Sequence, residues 1–490
     1  MKAGALLISR AECLIFCIVF LSAAFFTEDP LKNANFVSRF LLTKAIVDNH
    51  TFQLDDYKEE LGYDYSFYKG HYFSDKPPGS SFLMIPSYVL IAKPALYVLK
   101  KVAGRKDYDH LLAWLVQVFS LSILSAGAFV VLYRLLLQIG VVKNRFLITL
   151  LGYFGTLMFP YSTLGSGEMY VVPFLLAGIY LLFKARSLLQ YFLSGLSFAT
   201  AFVVYTQTFL IVIITLLYLL FVNVKIKKLL AFISPLILAV IFMMTYNYIL
   251  FGNTFSHPVL HWAHYKPTTM QFEIPTVKKI GDMLFLPWKG LFFYTPFLLL
   301  SFAGARRLFK KQSSIAIYLL ACFLSFFLFF SFDVGWEGGT GFGFRYIIPV
   351  LPFLFILVAV HLASGKLKSY ELLLIISGVG ISVFGTITSP RAPSVLKNPL
   401  IEHNLPYFLW GATNNIINHI MALYFNVHAW LFRLSTTVVF FVIICFMIIF
   451  GLRVSANENM PKVSFGAEQT PESLEFENRA SNVSGNFISK

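Results

Sequence analysis

Apolar residues in this chain fall into long, nearly unbroken runs, with little of the alternation that marks half-buried strands. Runs of span length lie near 11–27, 110–133, 146–163, 168–184, 188–204, 206–223, 229–250, 290–304, 313–332, 346–364, 370–388 and 431–452. A helix needs about 20 apolar residues to cross a hydrocarbon core of about 30 Å. The pattern therefore predicts an all-α polytopic membrane protein with about 12–13 transmembrane helices. Lys184 and Arg186 precede the 188–223 region, and Lys225, Lys227 and Lys228 follow it. That bracketing predicts a tight hairpin returning to the side it left. The first run ends in Thr27-Glu28-Asp29, a poor cleavage site, and reads as a retained span.

The run from Ser81 to Leu99 is the awkward one. It contains Pro86, Lys93 and Pro94 and ends in Lys100, Lys101, Arg105 and Lys106. A charge and two prolines near the middle are costly in lipid. If this run does not cross, one side of the membrane collects Lys2, Arg10, Arg134, Lys143, Arg145, Lys184, Arg186, Arg306, Arg307, Lys366, Lys368 and Arg453. The loops at 164–167, 333–344 and 389–430 on the other side are then nearly free of Lys and Arg. That asymmetry marks the first side as cytoplasmic. On this reading 81–99 is a juxtamembrane or re-entrant helix on the outer face; crossing would make a thirteenth span. Residues 1–455 form one transmembrane domain, with 28–109 as a large first external loop containing juxtamembrane helices. The segments 251–289 and 389–430 join it outside, where irregular backbone needs protein or water around it. The polar stretch 456–490 reads as a disordered, cytoplasmic tail.

Composition agrees. The 490 residues are 57% hydrophobic and 13% charged, with mean hydropathy +0.71; ordinary soluble domains are roughly 25% charged. The net charge of +15 is carried mostly in clusters beside apolar runs. It is a topology and lipid-contact signal, and no nucleic-acid partner is expected. Cys13, Cys17, Cys322 and Cys445 all sit within apolar runs, which suggests neither disulfides nor zinc.

Against this background one polar corner stands out, Gly70–Phe82, reading GHYFSDKPPGSSF. Pro77-Pro78 cannot continue a helix, Gly79 frees a turn, and Ser80 and Ser81 are natural caps for a helix that follows. The product is a helix N-terminus with Lys76 beside it, which suits a phosphate. Asp75 could hold Lys76, bind a metal or take a proton; an ordinary loop with a surface ion pair is the plain alternative. Glu168, at the outer end of a span, is expensive unless it faces a cavity. The stretch WEGGTGFGFR, Trp336 to Arg345, joins four glycines to an arginine that opens a span from its outer side. Glycines let backbone amides approach an anion, and Arg345 can grip phosphate with two donors. Lys289 in PWKG could reach the same anion. His257 and His261 have the spacing of a helical metal pair, but Pro258 interrupts it and interfacial anchoring is expected.

The stretch YSFYKGHYFSDKPPGSSFLMIP, with NANFVSRFLLTKAIVDNHTFQLDDY upstream, resembles the first external loop of polyprenyl-phosphate-dependent membrane glycosyltransferases of the GT-C class. That class includes protein O-mannosyltransferases and lipid A aminoarabinose transferases. YNYILFGN, LPWKGLFFYTPFLLL and GWEGGTGFGFRYIIPVLPFL are also similar to a bacterial branch of it, and the likeness covers about residues 5–365. The resemblance implies inverting transfer of a sugar from a polyprenyl-phosphate donor to an acceptor hydroxyl of a glycan, lipid or protein. It places this chemistry on the outer face of a bacterial inner membrane. Lys76, Arg345 and Lys289 would hold the donor phosphate, and Asp75, Glu28, Asp29 or Glu168 would be the base. One departure matters. The class usually has an acidic base just after the first span, and that position falls near Asn33 to Asn35, where asparagine cannot accept a proton at neutral pH. No nucleotide fingerprint is present, as fits a lipid-linked donor. No cofactor is required by the pattern; a divalent cation stays open. A transporter or flippase of lipid-linked saccharide, or a catalytically inactive relative, is the alternative. A transporter would favour mid-span charges and repeated halves.

Overall fold

The computed structural model describes residues 8–103, 108–264, 271–411, 413–425 and 430–458. Arg105, Lys106 and nearly all of the polar tail expected at 456–490 lie outside the described residues. The chain is a multi-pass, all-α membrane protein. Among the described residues, seven helices are long and apolar enough to cross a membrane, and four shorter apolar helices accompany them.

Helix α1 (Arg10–Phe25) begins in a capping box, Ser9 with Glu12, that satisfies its first amides in both directions. Next come α2 (Ala34–Asp48) and a two-stranded antiparallel hairpin, β1 (Ser66–Tyr68) and β2 (His71–Phe73), with Phe67 opposite Tyr72. Then follow α3 (Gly79–Lys101) and α4 (Asp109–Gln138). Glu12 near the start of α1 takes a two-pronged hydrogen bond from Arg134 near the end of α4, and Phe20 meets Phe119. The two helices are therefore antiparallel.

Two apolar runs are not single helices. The 146–163 run breaks after Arg145–Phe154 at Gly155 and resumes as the short helix Met158–Ser162. The 290–304 run is divided by Pro296, whose missing N–H cannot continue the ladder from Leu291–Tyr294. Hydropathy sees only the apolar content of such runs. A further short pair, α5 (Gly167–Phe183) and α6 (Leu188–Val204), leads through Thr206–Phe221 to α7 (Ile226–Phe251).

Helix α3 satisfies the length and composition of a span. It contains a π turn at Tyr88–Ala92, where the Lys93 amide donates to Tyr88 instead of the usual i−4 carbonyl. The turn sits just before Pro94, where the ladder has to adjust in any case. Residues 79–87 touch 118–122 of α4, and 88–92 touch its first turns, 109–117. The Ser87 hydroxyl donates to the Val116 carbonyl. Thus α3 runs antiparallel to the first half of α4. Asp48, closing α2, accepts from Tyr88 at 2.6 Å and Lys93 at 2.7 Å, tying α2 to α3.

Candidate functional site

The Pro-Pro corner starts α3, although not with the expected caps. Pro78 occupies the cap position and Gly79 is the first helical residue. Ser80 and Ser81 are the second and third helical residues, buried, with hydroxyls that have no partner. A Cβ on Gly79 would fall 2.6 Å from the backbone of Val203 and Val204, so only glycine lets the corner press against the C-terminal end of α6. Lys76 therefore sits three residues before the first helical residue of α3.

Lys76 is held by two carboxylates. Its Nζ lies 2.6 Å from Asp75 Oδ2 and 3.0 Å from Asp64 Oδ2. The other oxygen of Asp75 accepts from Ser38 of α2 at 3.0 Å, and Ser38 also meets Ser74. The β1–β2 hairpin makes this possible by folding the chain back so that residues 64 and 76 meet. Burial works against the Lys76 ammonium, but Asp75 and Asp64 more than offset it and hold its pKa above the ordinary lysine value. Burial and the neighbouring Asp64 push Asp75 up despite Lys76. Asp64 also feels burial, yet Lys76, with Arg345 and Arg39, holds it below the usual carboxylate range.

Arg39 enters from α2. Its side chain is buried against Gly167 and donates to the carbonyl and side-chain oxygens of Asn35. Its charge acts on Glu168, Asp75 and Asp64. Glu168, in the first turn of α5, lies 3.6 Å from Arg345 Nε, close enough for an ion pair but too far for a hydrogen bond. Arg345 also reaches the Tyr346 hydroxyl at 3.4 Å. Several buried polar atoms here have no protein partner: Arg39 Nε, Arg345 Nε, Glu168 Oε2, Ser166 Oγ and Tyr205 Oη. Such groups are costly unless water or a ligand satisfies them.

The glycine loop closes one side. Gly338 and Gly341 have φ of +68° and +158°, and side chains there would strike Arg345 and the Tyr161 hydroxyl. Lys289, fully buried, donates to the carbonyls of Gly339 at 3.0 Å and Gly341 at 2.8 Å. It tethers the loop next to Arg345. Burial, helped by Arg345 and opposed by Glu337, lowers its pKa to about 7.

Glu28 and Asp29 form a second group. Glu28 accepts from Ser389 at 2.6 Å and is clasped by Arg391, which also donates to the Lys32 carbonyl. Asp29 meets His110 at 2.8 Å and caps the turn at Pro30–Lys32. Neither has a contact with Lys76 among the described residues. The Gly341 amide bonds the Ala392 carbonyl, which links this group to the glycine loop.

The histidines have other roles than a metal pair. His257 accepts from the Val259 amide, and burial plus the charge of Lys76 lowers its pKa to about 4. His261 bonds Ser256 and stacks on Phe251, and His264 stacks on Tyr63. Among the described residues no group of three or more His, Cys, Asp or Glu comes together as a metal site.

Of the residues singled out in the sequence, the structure brings Asp75, Lys76, Glu168, Arg345 and Lys289 near one another; Asp64, Arg39 and Arg391 were passed over. Each had a signal: an acid between tyrosines, a charge inside an apolar helical stretch, and an arginine in a segment otherwise poor in basic residues.

No protein-family model matches the sequence, and no curated protein matches it. Among solved structures the chain is similar to ArnT from Cupriavidus metallidurans. The apo form aligns at TM-score 0.48 and 12% identity over 96% of this chain and 76% of ArnT. The form bound to undecaprenyl phosphate aligns at TM-score 0.44 and 10% identity, over 97% and 77%. The oligosaccharyltransferase of Archaeoglobus fulgidus aligns at TM-score 0.42 and 11% identity over 79% of this chain and 56% of its own.

Proposed function

We propose that this protein transfers a sugar from a polyprenyl-phosphate donor to an acceptor hydroxyl, on the outer face of a bacterial inner membrane, with inversion at the anomeric carbon. The observation that carries the reading is the convergence of Lys76, Arg39 and Arg345 on one buried site in which Arg39 Nε and Arg345 Nε lack protein partners. A lipid-linked phosphate cannot leave the bilayer, so it has to be met at the interface by cations. Lys76 and Arg345, with the amides that begin α3, would grip the phosphate, and Lys289 would steady the loop beside it. The same charges would stabilise the phosphate as it departs with the lipid. Arg39, unassigned from the sequence, joins this group.

On this reading residues 28–109 form the external loop. Helix α3 is re-entrant, consistent with its antiparallel run along the first half of α4 and its ties to Asp48. Asp75 is too enclosed to meet an acceptor, and its part is to aim Lys76. Glu168 balances Arg345, while Glu28 and Asp29 tie the 389–411 segment and α4 to the end of α1. A divalent cation would add charge at the phosphate, and a chelator titration of activity tests that need.

Purified protein in proteoliposomes, given radiolabelled polyprenyl-phosphate sugars and a mixed acceptor extract, tests the proposal. Transfer by wild type, reduced at least about 100-fold in Lys76→Met and Arg345→Ala, is expected. Binding of the donor with no product, or movement of intact donor between leaflets, refutes it.

A further inference from the structure

Resting on that reading, the geometry points to a role for Asp64 that its neighbours cannot take. We propose that Asp64 holds Lys76 in the empty site and becomes the base for the acceptor hydroxyl once a donor phosphate takes that ammonium over.

Three observations carry this. Lys76 has two carboxylate partners on different segments, and they differ in their other bonds. Asp75 is anchored through its second oxygen to Ser38 and has only 3% of its side chain exposed. Asp64 is 19% exposed, and Lys76 is the hydrogen-bonding partner that holds it in this site. A phosphate arriving at Lys76 therefore displaces the partner with the weaker anchorage. Lastly, Asp64 is the more exposed of the two carboxylates, and so the one an acceptor could meet. It is flanked by Tyr63 and Tyr65, and both rings contact His264, at 4.0 and 5.8 Å between centroids. Trp262 bonds the Tyr63 carbonyl, so this aromatic wall is fixed to the hairpin.

The step balances without another reactant. The acceptor O–H proton passes to the Asp64 carboxylate as the acceptor oxygen bonds the anomeric carbon. The bond from that carbon to the phosphate oxygen breaks, and its electron pair leaves on the polyprenyl phosphate. The device also imposes an order: the base is released only after the donor has bound.

The test compares wild type, Asp64→Asn, Asp64→Glu and Asp75→Asn in lipid nanodiscs. It measures undecaprenyl phosphate binding and single-turnover transfer, with thermal melting as a check on folding. Asp64→Asn should bind the lipid phosphate about two- to tenfold more tightly, because a competitor for Lys76 is gone. Its transfer should fall at least about 100-fold, and Asp64→Glu should recover part of it. Asp75→Asn should weaken binding, as expected for a positioning residue. Asp64→Asn with wild-type transfer, or with weakened binding at an unchanged melting temperature, overturns this inference alone. Failure of wild type to bind the lipid phosphate overturns it together with the reading on which it rests.

Discussion

Arg345 faces Glu168 across 3.6 Å, and each retains a buried atom without a protein partner. The pair is close enough to share charge and too far apart to be saturated, which leaves Arg345 able to accept an anion. Arg345→Ala should weaken undecaprenyl phosphate binding by about 10- to 100-fold, the equivalent of ~1.5–3 kcal/mol for hydrogen bonds to a charged group. Glu168→Gln should bind at least as tightly as wild type. Isothermal titration in nanodiscs measures both, and parallel losses would show that the ion pair is only structural.

Asn35 occupies the region where a carboxylate base was expected, and it accepts from Arg39 instead. A carboxylate there would claim the arginine. Asn35→Asp should therefore fold, since it gains an ion pair, and should bind lipid phosphate about tenfold more weakly. An increase in transfer would show instead that an acid after α1 is what the site lacks.

Lys289 offers a pH signature. With a pKa of about 7 it is largely neutral at pH 8, facing Arg345, Glu337 and two loop carbonyls. An arriving phosphate favours its charged form, so binding at pH 8 should take up as much as one proton. At pH 6 the lysine is already charged and uptake should vanish. Calorimetry in buffers of different ionisation enthalpy measures this; a buffer-independent heat at pH 8 contradicts it, as does uptake that persists in Lys289→Met.

Glu28 is a base by sequence position and a tether by geometry. If it is a tether, Glu28→Gln and Arg391→Ala should each destabilise the protein by about 1.5–3 kcal/mol. The double variant should lose much less than the sum. Limited proteolysis should find the 389–411 segment more open in both. Abolished transfer in Glu28→Gln at wild-type stability would restore it as the base.

Much of this was legible along the chain. The apolar runs announced the helices, and Pro77-Pro78-Gly79 announced the start of α3 with Lys76 beside it. Arg345 was noticeable because it sits where basic residues are otherwise scarce. What could not be read was pairing across distance. Asp64 reaches Lys76 only because β1 and β2 fold back, and Arg391 finds Glu28 across most of the chain. Hydropathy also cannot distinguish a continuous helix from one that Gly155 or Pro296 has broken.

Gly79 seats the corner directly on the backbone at Val203 and Val204, with no side chain to act as a cushion. Any tilt of α6, such as one imposed by a thicker or thinner bilayer, is thus handed straight to the ammonium two residues before Pro78. On the proposed reading, bilayer thickness should then shift where Lys76 meets its phosphate.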